Sequence, residues 1–143
     1  MLNVSGCQKL KSITGLRKLT KLSEVDIRGC LEKQELPRVD LTSLERLVVR
    51  GCKKLQSIPR LEQLTNLTHL DVHGCSGMRE LPGVEHLTSL NYLDAWKCEK
   101  LQSIPRLGQL TKLTQLHVAG CSDILGLLGV EHLASFKRLA IWG

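Results

Sequence analysis

Apolar residues recur at fixed places along the chain, and their spacing changes within each period. Around Cys75 they read Leu67, Leu70, Val72, Cys75, Met78, Leu81, Val84, Leu87 and Leu90. Around Cys98 they read Leu90, Leu93, Ala95, Cys98, Leu101, Ile104, Leu107, Leu110 and Leu113. Through the L-x-V portion the spacing is two, which sends alternate side chains to opposite sides, as in a strand. Beyond the cysteine the spacing becomes three, which suits a tight near-threefold path, irregular or 3-10, rather than a long α-helix. Pro37, Pro59, Pro82 and Pro105 share one register of that second stretch, and proline has no N–H to give to a helix interior. Each period thus predicts a short strand, a turn at the cysteine and an irregular return.

The six cysteines, Cys7, Cys30, Cys52, Cys75, Cys98 and Cys121, mark the period, with separations of 23, 22, 23, 23 and 23 residues. A longer period lies over the first. Segments 52–97 and 98–143 align without a gap and agree at 28 of 46 positions. The recently duplicated unit is therefore a pair of repeats, one carrying QSIPRL and the other GVEHL. A single unit has no second layer against which to bury its apolar face, so the units must stack and share faces as a solenoid. Residues 1–143 then form one repeat domain.

The strand-and-turn text LTHLDVHGC (67–75) and LTQLHVAGC (113–121) fits L-x-x-L-x-L-x-x-C. It resembles the leucine-rich-repeat signature, in the variant with Cys at the ladder position often held by Asn, and the resemblance covers essentially the whole chain. It implies an α/β leucine-rich-repeat horseshoe of about six 23-residue repeats. A curved parallel β-sheet lines the concave side of such a fold, and irregular, 3-10 or short helical segments form its convex side. The longer text LDVHGCSGMRELPGVEHLTSL is similar to the repeat region of plant intracellular immune receptors, the nucleotide-binding leucine-rich-repeat proteins, especially those with a TIR domain.

Six cysteines in a short chain also raise disulfides and metal sites. No two lie closer than 22 residues, so there is no C-x-x-C pair for zinc. Stacking brings neighbouring cysteines to roughly 5 Å, the inter-strand spacing, which a disulfide could span. A ladder in which every turn is alike, however, needs every cysteine in the same inward pose. All six are therefore expected to be structural, reduced thiols bonded to loop carbonyls, and neither metal nor cofactor is expected.

Charge modifies the picture little. The chain has a formal net charge of +6. Residues 1–60 hold 13 Lys/Arg against 6 Asp/Glu, and residues 61–143 hold 7 against 8. No tight basic run appears, so a solvated, mildly basic surface is expected and no nucleic-acid partner. No apolar run approaches the ~18 residues that span a bilayer, so no membrane partner is expected either. The N-terminal MLNVSGCQKLKS lacks the basic-then-apolar form of a secretory signal, so a cytoplasmic or nuclear location is expected. Asn3-Val4-Ser5 and Asn66-Leu67-Thr68 match the glycosylation tripeptide, but such matches arise readily by chance.

Catalysis has no candidate. There is no P-loop, dinucleotide fingerprint, H-E-x-x-H or nucleophile elbow. His86 and His132 recur in the two copies of GVEHL and read as solvated residues of the outer side. His69 and His73 share a strand face but lie roughly 13 Å apart along it, too far to chelate one ion. No catalytic residue and no small-molecule substrate is therefore expected.

Binding has a candidate. The outward strand positions align into three columns: Glu24, Arg46, His69, Tyr92, Gln115, Arg138; then Asn3, Asp26, Val48, Asp71, Asp94, His117, Ala140; then Ser5, Arg28, Arg50, His73, Trp96, Ala119, Trp142. Both tryptophans and the single tyrosine fall here, and aromatics with arginine are the usual anchors of protein interfaces. The expected protein-binding face comprises Arg28, Arg46, Arg50, His69, Asp71, His73, Tyr92, Asp94, Trp96, His117, Arg138 and Trp142. The family resemblance implies a protein partner, either a pathogen effector or a nucleotide-binding domain of the same receptor held inactive. A generic scaffold is the other expectation, such as the substrate-reading part of a ubiquitin ligase or a small-GTPase regulator. The chain opens at the strand-like Leu2-Asn3-Val4 and stops at Ala140-Ile141-Trp142-Gly143, with no recognisable polar cap, so it reads as a fragment of a longer receptor or a truncated gene product.

Overall fold

The structure, a computed structural model, describes residues 1–7, 21–30, 36, 41–127, 129–133, 135 and 137–141. Among these, nine short strands follow in chain order: β1 (Leu2–Asn3), β2 (Glu24–Asp26), β3 (Arg46–Val48), β4 (His69–Asp71), β5 (Tyr92–Asp94), β6 (Ser103–Ile104), β7 (Gln115–His117), β8 (Gly126–Leu127) and β9 (Arg138–Ala140). Seven of them, β1-β2-β3-β4-β5-β7-β9, form one parallel sheet in strict sequence order. The register never slips: Glu24, Arg46, His69, Tyr92, Gln115 and Arg138 lie side by side across it. An unbroken period of two at the same place in each repeat dictates this, because a one-residue slip would turn every leucine outward.

The return paths are 3-10 turns at Leu61–Gln63, Val84–His86, Leu107–Gln109 and Val130–His132, as the spacing of three requires. One apolar core runs the length of the stack, with Leu55, Leu61, Leu67, Leu70 and their equivalents in later turns fully buried. The sequence gives no sign of a second, smaller sheet. It pairs β6 with β8 on the turn side, and an isolated bridge, Glu80 to Ser103, carries it one repeat further back. No helix among the described residues is long and apolar enough to cross a membrane.

Two ladders hold the turns that leave the main sheet. The first is made of sulfur. The thiols of Cys52, Cys75, Cys98 and Cys121 donate to the carbonyls of Ile27, Val49, Val72 and Ala95, each in the preceding repeat, at 3.2, 3.1, 3.1 and 3.0 Å. Cys30 reaches Val4 at a longer 3.6 Å. None of the six cysteines is in a disulfide, and all but Cys7 are buried. The expectation of six buried thiols thus fails at Cys7, which is exposed because no described turn stacks in front of it.

The second ladder is made of carboxylates and lies on the concave side. The last strand residue turns its side chain back to its own chain: Asp26 Oδ1, Asp71 Oδ1 and Asp94 Oδ1 accept the amide N–H of Arg28, His73 and Trp96 at 3.2, 3.0 and 2.9 Å. Asn3 Oδ1 does the same for Ser5 at 2.9 Å. These are Asx turns, in which a short polar side chain imitates the backbone and fixes the bend. The residue three positions after the last strand residue adopts positive φ, and it is glycine in five of the repeats. In the fifth it is Lys97, at φ 56°.

Candidate functional site: the concave face around Trp96

Strands β4, β5 and β7 carry a cluster of rings. Trp96, two residues past the end of β5, is 43% exposed, the most open large aromatic among the described residues. His73, one strand away in the same column, meets the indole edge-on with ring centroids 4.8 Å apart. His69 stacks on Tyr92 at 5.8 Å, and Tyr92 meets His117 edge-on at 5.5 Å. Lys97 holds its ammonium 5.2 Å from the Trp96 ring centre, a cation–π distance. The parallel register produces this arrangement, because it sets equivalent positions about 4.8 Å apart, close enough for rings to touch.

Beneath the rings lies acid. Asp94 is 4% exposed and Asp71 is 8% exposed, so the two carboxylates expected as contact residues are covered by their neighbours instead. A residue that points away from the core is exposed only if nothing larger leans over it. Here Arg50 leans over both, with its Nη2 2.8 Å from Asp71 Oδ2 and 3.6 Å from Asp94 Oδ2. The Tyr92 hydroxyl donates to Asp94 Oδ2 at 3.1 Å. His117 Nδ1 and His73 Nδ1 stand 3.8 and 4.0 Å from the same oxygen, and His73 Nδ1 is buried without a hydrogen bond. Asp94 is thus the hub onto which Tyr92, Arg50 and two histidines converge.

The electrostatics follow from this packing. Burial of the Tyr92 phenol, helped by the Asp94 carboxylate beside it, pushes it up to about 12. Burial also holds the His69 imidazole below its usual value, with the Arg46 charge acting in the same direction. Asp26, under β2, shows the opposite balance. Burial opposes its ionisation, but hydrogen bonds from the Arg28 side chain and amide outweigh that and hold its carboxyl below the usual range. Arg28 Nε lies 3.0 Å from each Asp26 oxygen.

The remaining expected site residues divide in two. Arg46 and Arg138 are exposed in the first column, second from one end and at the other end, on the same face as the ring cluster. Trp142 lies outside the described residues. The opposite side of the molecule holds a feature with no signal in the periodicity, because it forms between two unlike repeats. It is a concavity of about 460 Å³ lined by Ser57, Pro59, Arg60, Glu62, Pro82, Gly83, Glu85 and His86, among others. Glu85 Oε2 is buried there without a hydrogen bond. Among the described residues no group of His, Cys, Asp and Glu is placed to hold a metal ion.

No family model matches the chain, and no curated protein matches it. Among solved structures it is similar to the leucine-rich repeat domain of the type III effector XopL, with 24% identity and a TM-score of 0.62 over 88% of this chain and 55% of that one. The chain therefore spans about half the length of that domain. A functional domain of InlJ from Listeria monocytogenes, whose description includes a cysteine ladder, matches at 17% identity with a TM-score of 0.32, over 88% of this chain and 45% of that one. The first likeness and the strand order above make the architecture a leucine-rich-repeat solenoid.

Proposed function

We propose that this chain is a protein-recognition module that meets its partner through the concave strip centred on Trp96. One observation carries the reading: Tyr92, Trp96, Arg28, Arg46, Arg50 and Arg138 share one solvent-facing side of the sheet while aliphatic residues fill the core. A half-exposed tryptophan flanked by a histidine and a lysine is what a desolvated interface anchor looks like before its partner arrives. The covered carboxylates serve as supports that fix the rings and Arg50 in place, and fixing them beforehand lowers the ordering cost of association.

The finer reading rests on the sequence resemblance to plant intracellular immune receptors. In that setting the strip senses a pathogen effector or holds the receptor's nucleotide-binding domain inactive, in the cytoplasm or nucleus. The chain's own residues supply binding rather than catalysis in this account. Replacing Trp96 by Ala is expected to weaken binding to a protein partner by about 2 kcal/mol or more, roughly thirtyfold, as for a buried interface anchor. Replacing Glu85 on the far side leaves it unchanged. Calorimetry on the two variants checks this, and equal affinities for W96A and the unaltered chain would remove the site assignment.

A further inference from the structure

The concave face sorts its polar groups by sign. Asp26, Asp71 and Asp94 are 7, 8 and 4% exposed, and each already accepts hydrogen bonds from an amide and a side chain of this chain. The groups above them are donors. Arg28 and Arg50 leave 51 and 43% of their side chains exposed, and Arg46, Lys97 and Arg138 are exposed too. The only carboxylate among the described outward strand positions that is not buried is Glu24, half-covered on β2. Exposed acids such as Glu62, Glu80, Glu99, Asp123 and Glu131 sit on other parts of the stack. By halves of the sequence the later repeats are near neutral; by faces they are not.

Lys97 shows that the sign is maintained against a local cost. Glycine holds this left-handed position in the other repeats, at Gly6, Gly29, Gly51, Gly74 and Gly120. A lysine there costs roughly 1–2 kcal/mol of backbone strain, yet it stands beside Trp96 with its ammonium over the ring. Arg60 and Arg106 also hold positive φ, on the turn side, but at this register of the sheet side the strain falls in one described repeat, next to the most exposed aromatic among the described residues, and is of the kind stored at functional sites.

Resting on the reading that the concave face is the contact surface, we infer that its occupant is an acidic protein segment: a run of Asp or Glu with one apolar or aromatic side chain. The carboxylates meet Arg28, Arg50 and Lys97, and the apolar side chain covers Trp96. Arg28, just past β2, and Trp96, just past β5, lie three strands apart, about 14 Å at the usual spacing. An extended segment crosses that distance in about four residues, which sets the separation between its acidic and apolar contacts. Asp26 already holds Arg28 through Nε and Nη2, and Asp71 and Asp94 hold Arg50 through Nη2, so the incoming carboxylates meet the exposed remainder of each guanidinium and the Lys97 ammonium.

The test is shift mapping by nuclear magnetic resonance on the full chain. One probe is a Glu-rich peptide of about twelve residues with one central Phe, long enough to cross the strip; the other is its Lys-for-Glu counterpart. The Glu peptide is expected to move the Trp96 indole N–H and the amides of Arg50 and His73. Its affinity should fall about tenfold in Lys97→Gly, and fall again with added salt as exposed charges are screened. Arg46→Gln, an exposed site away from the turns, should weaken it more modestly. A Lys peptide that moves the same signals more strongly overturns the acidic partner but leaves the concave surface standing. Glu-peptide shifts confined to the turn side, around Glu85 and His86, overturn both. The absence of any response to the Glu peptide overturns the inference.

Discussion

The carbonyls of Val4, Val49, Val72 and Ala95, which receive ladder thiols, also accept an amide of their own turn: Val49 takes the Cys52 N–H at 3.2 Å and the Cys75 thiol at 3.1 Å. The sulfur therefore uses a second lone pair and strands no backbone group, which lets a weak donor occupy so buried a place. Burial pushes the Cys52 thiol up to about 11 and the Cys98 thiol up to about 12, from an ordinary 9.0. Because these values are raised in the folded state, the folded chain holds more protons than the unfolded chain above about pH 9. The thiols' contribution to stability is then intact below pH 9 and declines as pH rises towards 12. Denaturant midpoints should be flat on their account up to pH 9 and fall beyond it. With a thiol reagent at pH 8, the exposed Cys7 should react at once and the five buried residues only on unfolding; several fast thiols would mean an open ladder. Tyr92 offers a second reading at this scale. As the single tyrosine it gives a clean ultraviolet titration, expected near 12, and a midpoint near the ordinary 10.0 would contradict its burial beside Asp94. The sequence revealed the cysteines because repetition prints them six times. It did not reveal that Asp71 and Asp94 are covered, since a period of two tells which side a residue faces and not what leans over it. The recurring D-x-x-G of DIRG and DVHG was the available sign, being the text of an Asx turn.

At the scale of the element, glycine and its substitutes decide how closely two turns can stack. Gly83 opens the 3-10 turn Val84–His86 with φ 87°, and a Cβ there would lie 2.8 Å from the Glu62 nitrogen and 2.9 Å from the Glu62 Cβ. Gly83→Ala should therefore cost about 2–5 kcal/mol, combining left-handed strain with overpacking against a neighbouring backbone. Gly126→Ala in β8, where a Cβ meets nothing within 4 Å, serves as the control and should change stability little. Equal melting temperatures for the two variants would contradict the stacking described. Lys97→Gly runs the other way. Relief of positive-φ strain, less the extra freedom of glycine in the unfolded chain, should stabilise the protein by about 1 kcal/mol even as it weakens the acidic partner's grip. Strands and 3-10 turns were legible because their periods differ, two against three. The β6–β8 sheet was not, since two-residue strands at Ser103–Ile104 and Gly126–Leu127 leave no alternation to detect. The concavity beside Gly83 was not legible either: it arises where a QSIPRL turn meets a GVEHL turn, a junction that neither repeat shows by itself.

For the whole molecule, the stack converts a linear repeat into two surfaces of different character. The turn side mixes acids and bases around its concavity. The sheet side buries its acids and presents rings and cations, and it does so because strict parallel register lines up equivalent positions of every repeat. A face built this way is rigid before it binds, so recognition should involve little backbone movement, and the footprint of a partner should follow strands rather than loops. The most direct measurement is side-chain footprinting of the chain, free and in complex with its protein partner, by a solvent-borne label. Trp96, open in the free chain, should lose most of its labelling on binding, with His73 and Tyr92 losing theirs alongside, while Pro59, Pro82 and His86 stay as they were. Unchanged labelling of Trp96 together with protection of Pro59–His86 would place the partner on the opposite side and contradict the account.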